Sequence, residues 1–191
     1  YKGVDVFLQS LSLLDVDCHA VIAGSFKHAN EPTALMDAVG VSDEVRRRVT
    51  FTGAVSDAEL RALYGLADVF VYPTRGDTLP LVVLEAMACG APIVSTTIGG
   101  IPFEVTAECG MLTAPDDPAG TAEAVRTLLH DPARRQAMGA AGRARVRSTF
   151  RWSAAALAAR DGYRSVLGHV AIEAGAEVEM APVPVLRGER V

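Results

Sequence analysis

Five short apolar runs, each bounded by glycine or proline, alternate with stretches of helical period, and that rhythm admits few folds. The runs are HAVIAG (19–24), RVTFTG (48–53), ADVFVYP (67–73), APIVS (91–95) and the weaker CGMLT (109–113). Between them, Val4, Phe7, Leu8, Leu11 and Leu14 recur at helical spacing, and a second helix fits 31–39. SDAE (56–59) has the form of a capping box and opens a helix to about Leu66. A helix over 81–89 is closed by Gly90; two more, over 118–130 and 132–148, carry proline in their first turn. A last helix is expected from Ser153 to Leu167. Short strands alternating with helices predict an α/β fold, a doubly wound parallel sheet with helices on both faces. Such sheets take ligands beyond the carboxyl ends of their strands. The loops after Gly24 and Gly53 and the loop from Pro73 to Pro80 are therefore expected on one rim.

Composition narrows the classes. Half of the 191 residues are hydrophobic and the net charge is −5, which suits a packed core and argues against disorder. No chain-wide basic field exists to hold nucleic acid, and membrane association is expected to be peripheral at most. Neither a signal-peptide pattern nor an apolar run of about 18 residues occurs, so the expected location is cytoplasmic. Cys18, Cys89 and Cys109 have neither zinc spacing nor a disulfide framework and are read as reduced thiols. His19, His28, His130 and His169 show no ligand spacing, and no metal is expected. The segment 168–191 turns Glu-rich and then Pro-Val-Pro, and reads as a linker or loose tail after a domain over 1–167. The opening at Tyr1, almost directly on a helix, reads as a piece of a longer chain.

The stretch PTRGDTLPLVVLEAMACGAPIVS (73–95) concentrates the chemistry. A helix starting near Leu81 leaves its first amides without internal partners and with partial positive charge, which suits phosphate. Glu85 stands among Leu81, Val82, Val83, Leu84, Ala86 and Met87, where a buried acid is costly unless something binds it. An acid beside a phosphate site suits the paired hydroxyls of a ribose, and Asp77 could grip another set. Phosphate flanked by two polyol-binding acids describes a nucleotide sugar. From spacing alone the plainer reading stays open: Glu85 as an acid favoured by the helix dipole, Asp77 as a turn residue after Gly76.

An ordered set of motifs adds a resemblance. KG (2–3), VTFTG (49–53), ADVFVYPT (67–74), DTLPLVVLEAMACGAPIVS (77–95), GGIP (99–102), CGMLTAPDD (109–117), FRW (150–152) and Tyr163 occur in sequence. Over 1–167 the chain resembles the carboxyl-terminal, donor-binding half of the family-4 retaining glycosyltransferases, whose GT-B fold joins two Rossmann-like domains. The resemblance implies that Glu85 binds ribose hydroxyls and that Asp77 faces the donor sugar. It implies that the Leu81 and Val82 amides, with Lys2, receive the diphosphate. Gly53, Ala54 and Val55 would lie against the base, while Gly24, Thr78, Leu79 and the Gly99–Gly100 turn line the same cleft. Asp77 and Lys2 become the catalytic candidates. The implied partner is a UDP-, GDP- or ADP-linked sugar as donor substrate, with no cofactor and no metal. An amino-terminal half would supply the acceptor site, a diphosphate-binding Arg and a strand ahead of the first helix.

Departures from the family pattern bear on the donor sugar more than on the fold. The first acid is Asp77 where Glu is usual, and Thr78-Leu79-Pro80 stands for Gly-Phe-Gly, so Pro80 removes an amide. GSF (24–26) lacks the common second glycine, and Phe103 follows GGIP with Glu104 one place late. Two other functions fit the same motifs: a GT-B sugar-nucleotide epimerase, or a non-catalytic sugar-nucleotide-binding module. Elsewhere the plain readings hold. Cys89 is a small core residue at a helix end, Arg46–Arg48 and the arginines from 134 to 151 are solvated helix faces, and Trp152 is a packing anchor.

Overall fold

A computed structural model describes residues 2–26, 28 and 31–174, the side chains of 169–174 excepted. Residues 175–191 of the expected tail lie outside the described residues. The chain forms two compact units, Tyr1–Phe150 and Arg151–Val191.

In the first unit the elements run α1 (Val4–Ser12), β1 (Ala20–Ala23), α2 (Glu31–Val39), α3 (Asp43–Arg47) and β2 (Val49–Gly53). There follow α4 (Asp57–Leu66), β3 (Phe70–Tyr72), α5 (Leu81–Cys89), β4 (Ile93–Thr96), α6 (Ile101–Glu104) and β5 (Gly110–Thr113). Two helices, α7 (Pro118–His130) and α8 (Pro132–Thr149), close the unit. Every expected strand and helix is present. The short α3 and α6 have no counterpart in the periodicity reading, because helices of one turn show no repeat.

All strand pairs are parallel, in two ladders, β1–β2 and β3–β4–β5. Side chains alternate across each strand and sort into two apolar layers. Val71, Val94 and Met111 join Leu8, Leu11, Val45, Val125 and Leu128 on one face, with Ile22 and Phe51 from the other ladder. Phe70, Ile93 and Leu112 join Tyr64, Val83, Met87 and Ile101 on the opposite face. Helices therefore cover both faces, as expected.

Local chemistry fixes the helix ends. Ser56 and Glu59 form the full capping box at the start of α4. Asp117 accepts from the Gly120 amide at 2.8 Å and Asp131 from the Arg134 amide at 2.9 Å, each one residue before a proline. Of the arginines read as solvated faces, Arg47, Arg134, Arg147 and Arg151 are exposed as expected, whereas others serve as anchors for carbonyl oxygens. Arg46 donates to Val41 O, Arg48 to Val16 O, Arg135 to Leu128 O and Leu129 O, and Arg145 to Phe103 O and Glu104 O. The fork of donors satisfies the chain ends that helices and loops leave open.

The second unit is described through α9 (Trp152–Ala174), which begins one residue before the expected start and runs seven beyond Leu167. Trp152, read as a packing anchor, is 81% exposed, and Leu157, Tyr163, Val166 and Leu167 are exposed with it.

Candidate functional site

The loops after β3, β4 and β5 leave the carboxyl ends of one parallel ladder and are tied together there. Ser95 Oγ donates to Tyr72 O at 2.7 Å and Thr96 Oγ1 to Thr74 O at 2.8 Å, so β4 hydroxyls hold the exit of β3. Arg75 donates to both carboxylate oxygens of Asp5, at 2.8 and 2.7 Å, and to Asp116 at 2.5 Å. That clamp joins the first turn of α1 to the loops after β3 and β5. Gly3 packs so close that a Cβ there would lie 1.9 Å from Pro73 O.

The clamp delivers Lys2 to Asp77. Lys2 Nζ lies 2.7 Å from Asp77 Oδ2, and the Tyr72 hydroxyl donates to the same oxygen at 2.8 Å. The ammonium also stands 5.4 Å from the centre of the Tyr72 ring. The Lys2 hydrogen bond, helped by Tyr72, holds the Asp77 carboxyl below the usual range, and Asp77 in turn raises Lys2. Lys2 is half-exposed.

The start of α5 is open. Pro80 is its N-cap residue and no side chain caps it; Leu81 is 53% exposed. The Leu81 and Val82 amides lie at this uncapped start, while Val83 N–H donates to Pro80 O at 3.0 Å. Glu85 is placed differently from expectation: it is exposed, not buried in its apolar run. Val83, Ala86 and Met87 form the buried stripe of α5, and Leu81, Glu85 and Ala88 fall on the opposite one. No burial cost therefore marks Glu85; its availability does. Its bonded partner is Tyr64, whose hydroxyl donates to Oε2 at 3.2 Å, with burial and the Glu85 charge raising the phenol. Among the described residues Asp77 and Glu85 share no hydrogen-bond partner, yet an aromatic row joins their phenols. Tyr64 meets Phe70 edge-on at 5.4 Å, and Phe70 stacks beside Tyr72 at 6.2 Å.

The Gly99–Gly100 turn comes against the same loop. Gly100 N–H donates to Thr78 O at 2.6 Å, and a Cβ on Gly99 would stand 1.9 Å from Asp77 O. Behind this turn Glu104 is fully buried, and neither carboxylate oxygen has a hydrogen-bond partner among the described residues. Burial, then the charge of Asp77, pushes its carboxyl up to about 7.

Gly24 and Gly53 meet at the end of the first ladder, where Gly24 N–H donates to Gly53 O at 2.9 Å. Gly53 and Ala54 line a cavity of about 290 Å³ with Ser25, Phe26, His28, Pro32 and Phe51, the Phe26 and Phe51 rings edge-on at 5.5 Å. Val55 is half-buried beside them in the chain, and Thr78 and Leu79 are exposed. Among the described residues no group of three or more His, Cys, Asp or Glu could hold a metal ion. No helix there is long and apolar enough to cross a membrane.

Sequence reasoning missed Tyr64, Tyr72 and Arg75 as parts of the site. Tyr72, directly before Pro73, reads in the sequence only as strand, and the Arg75 clamp depends on partners 70 and 41 residues away. Glu104 stood out only as a displaced motif residue.

Parallel strands, helices on both faces and a polar loop cluster beyond carboxyl strand ends define a Rossmann-like α/β domain. The chain belongs to the family described as glycosyl transferases group 1, which it matches over residues 1–131. It is 37% identical over 159 residues to D-inositol 3-phosphate glycosyltransferase from Kineococcus radiotolerans, covering 78% of this chain and 35% of that protein. It is also 37% identical to a GDP-mannose-dependent monoacylated alpha-(1-6)-phosphatidylinositol monomannoside mannosyltransferase from Corynebacterium glutamicum, covering 79% of this chain and 41% of the relative. Among solved structures, sucrose-phosphate synthase from Thermosynechococcus elongatus superposes with a TM-score of 0.75 at 30% identity, over 88% of this chain and 43% of that one. HepE from Anabaena, solved in complex with UDP-glucose, shares the fold with a TM-score of 0.67 at 22% identity, over 77% of this chain and 41% of its own. The chain thus spans less than half the length of these relatives.

Proposed function

We propose that this chain is the nucleotide-sugar-binding half of a retaining glycosyltransferase. One observation carries the reading: the uncapped start of α5 opens beside a loop on which Lys2 and Asp77 are held together. The Leu81 and Val82 amides and Lys2 receive the diphosphate, which attracts Lys2 away from part of its bond to Asp77. Asp77 then faces the donor sugar, with Thr78, Leu79 and the Gly99–Gly100 turn beside it. Glu85, exposed one turn into α5, takes the ribose hydroxyls, and the group Gly24, Gly53, Ala54 and Val55 borders the base. No protein nucleophile is assigned. Positive charge preorganised around the leaving diphosphate stabilises the bond-breaking state, and the phosphate accepts the acceptor's proton on the same face of the sugar. Helix amides and Lys2 supply that charge without a metal or other cofactor. The acceptor site belongs to an amino-terminal half, so the 191 residues alone bind donor weakly and transfer no sugar.

Thermal unfolding with UDP, GDP and ADP tests the reading, because a ligand of the native state raises the midpoint by mass action. One of the three should raise it and Lys2→Met should reduce the effect; no shift with any of them refutes the site. Joined to an amino-terminal half, the protein should make a new glycoside. An isomerised nucleotide sugar as the product would assign it to epimerisation instead.

A further inference from the structure

Glu104 is a feature the proposed reaction does not use. It ends α6, is fully buried, and has two carboxylate oxygens without partners among the described residues. An ionised carboxylate left so is costly to bury, and a neutral acid is far cheaper to keep there. Its backbone is wired to the donor loop. Glu104 N–H donates to Gly100 O at 3.1 Å, and Gly100 N–H donates in turn to Thr78 O, next to Asp77.

The charged surroundings point the same way. From the loop after β3, Asp77 acts on Glu104 with like charge, and Lys2 is already bonded to Asp77. From α8, Arg145 spends its guanidinium on the carbonyl oxygens of Phe103 and Glu104, not on the carboxylate. On the apolar layer beside α6, Tyr64 and Glu85 are bonded to each other. From β4, the Ser95 and Thr96 hydroxyls donate to Tyr72 O and Thr74 O. Nothing among these neutralises an ionised Glu104.

We propose that Glu104 is a positioning residue, a neutral acid under the donor loop that lets Asp77 alone carry negative charge toward Lys2, and whose ionisation weakens the grip on a nucleotide sugar. With Glu104 neutral, Lys2 balances one carboxylate and can turn to a diphosphate. Once Glu104 loses its proton, two negative charges stand behind the phosphate site. Lys2 is drawn back to Asp77 and the diphosphate is repelled. Burial and the Asp77 charge place that proton loss near neutrality, at about 7.

The effect on binding rests on the nucleotide-sugar reading; the protonation of Glu104 does not, and the test separates them. In the chain labelled with carbon-13 at glutamate and aspartate side-chain carboxyls, one carboxyl absent from Glu104→Gln should titrate near neutrality, and the Asp77 carboxyl should shift with it. Titration of Glu104 in the ordinary carboxylate range, or no response at Asp77, overturns the proposal whether or not the variant folds. The binding arm uses UDP-glucose, GDP-mannose and ADP-glucose, diesters whose diphosphate keeps a constant charge between about pH 5.5 and 8.5. The donor that binds should weaken about three- to tenfold across that range, and Glu104→Gln should remove the step. A step that persists in the variant overturns the proposal. Absence of binding by all three at every pH sinks the nucleotide-sugar reading, and with it the proposed effect on binding, while the carboxyl titration still decides the charge of Glu104.

Discussion

Gly99→Ala and Gly53→Ala differ in one respect, and the difference measures how tightly the donor loop is held. Both glycines have positive φ, +56° at Gly99 and +69° at Gly53, so an alanine at either carries a similar backbone penalty of about 1 kcal/mol. At Gly53 an added Cβ meets nothing within 4 Å. At Gly99 it would stand 1.9 Å from Asp77 O and 3.0 Å from the Asp77 carbonyl carbon. Backbone is on the other side of that contact, so the loop must move by more than an ångström. Overpacking of this kind adds about 1–3 kcal/mol. Gly99→Ala should therefore lose about 2–4 kcal/mol and Gly53→Ala about 1 kcal/mol, or roughly 10 °C against 3 °C in the thermal midpoint. Urea and thermal unfolding of the two variants read this directly. Since the displaced residue is Asp77, the ligand-induced rise should also vanish in Gly99→Ala. Equal stability of the two variants, with the ligand effect intact, would refute the close approach and its part in the site.

Other perturbations test the remaining links. Arg75→Met should cost about 1–2 kcal/mol near neutrality, the three charge-assisted bonds being discounted for their partial exposure. The Arg75 bonds hold the Asp5 carboxyl below its usual range, so their stabilisation is present above about pH 4 and lost as pH falls toward the folded value. The gap between Arg75→Met and the parent should accordingly close in acid; a constant gap refutes the clamp. Lys2→Met should weaken nucleotide-diphosphate binding about tenfold and let Asp77 return toward the ordinary carboxylate range, read by calorimetry and by carboxyl carbon-13 shifts. Asp117→Ala, which removes the cap of α7, should cost about 1 kcal/mol in urea unfolding without altering ligand affinity.

The division between what was legible and what was not follows the range of the interactions. Strand runs such as VTFTG and APIVS, the SDAE box, and the proline and glycine punctuation of α5, α7 and α8 act within a few residues, so the sequence displays them directly. The open start of α5 belongs with them, since a proline before an apolar run neither caps nor donates. Exposure is another matter. The composition around Glu85 suggests burial, and only the placement of α5 turns one stripe inward and leaves that acid outside. The Arg75 clamp, the phenol pairs on the two acids and the unpartnered Glu104 depend on loops that meet across tens of residues. Local periodicity cannot encode those meetings. They arise when parallel strands bring their carboxyl ends together, and the charge of each group is then set by which others arrive beside it.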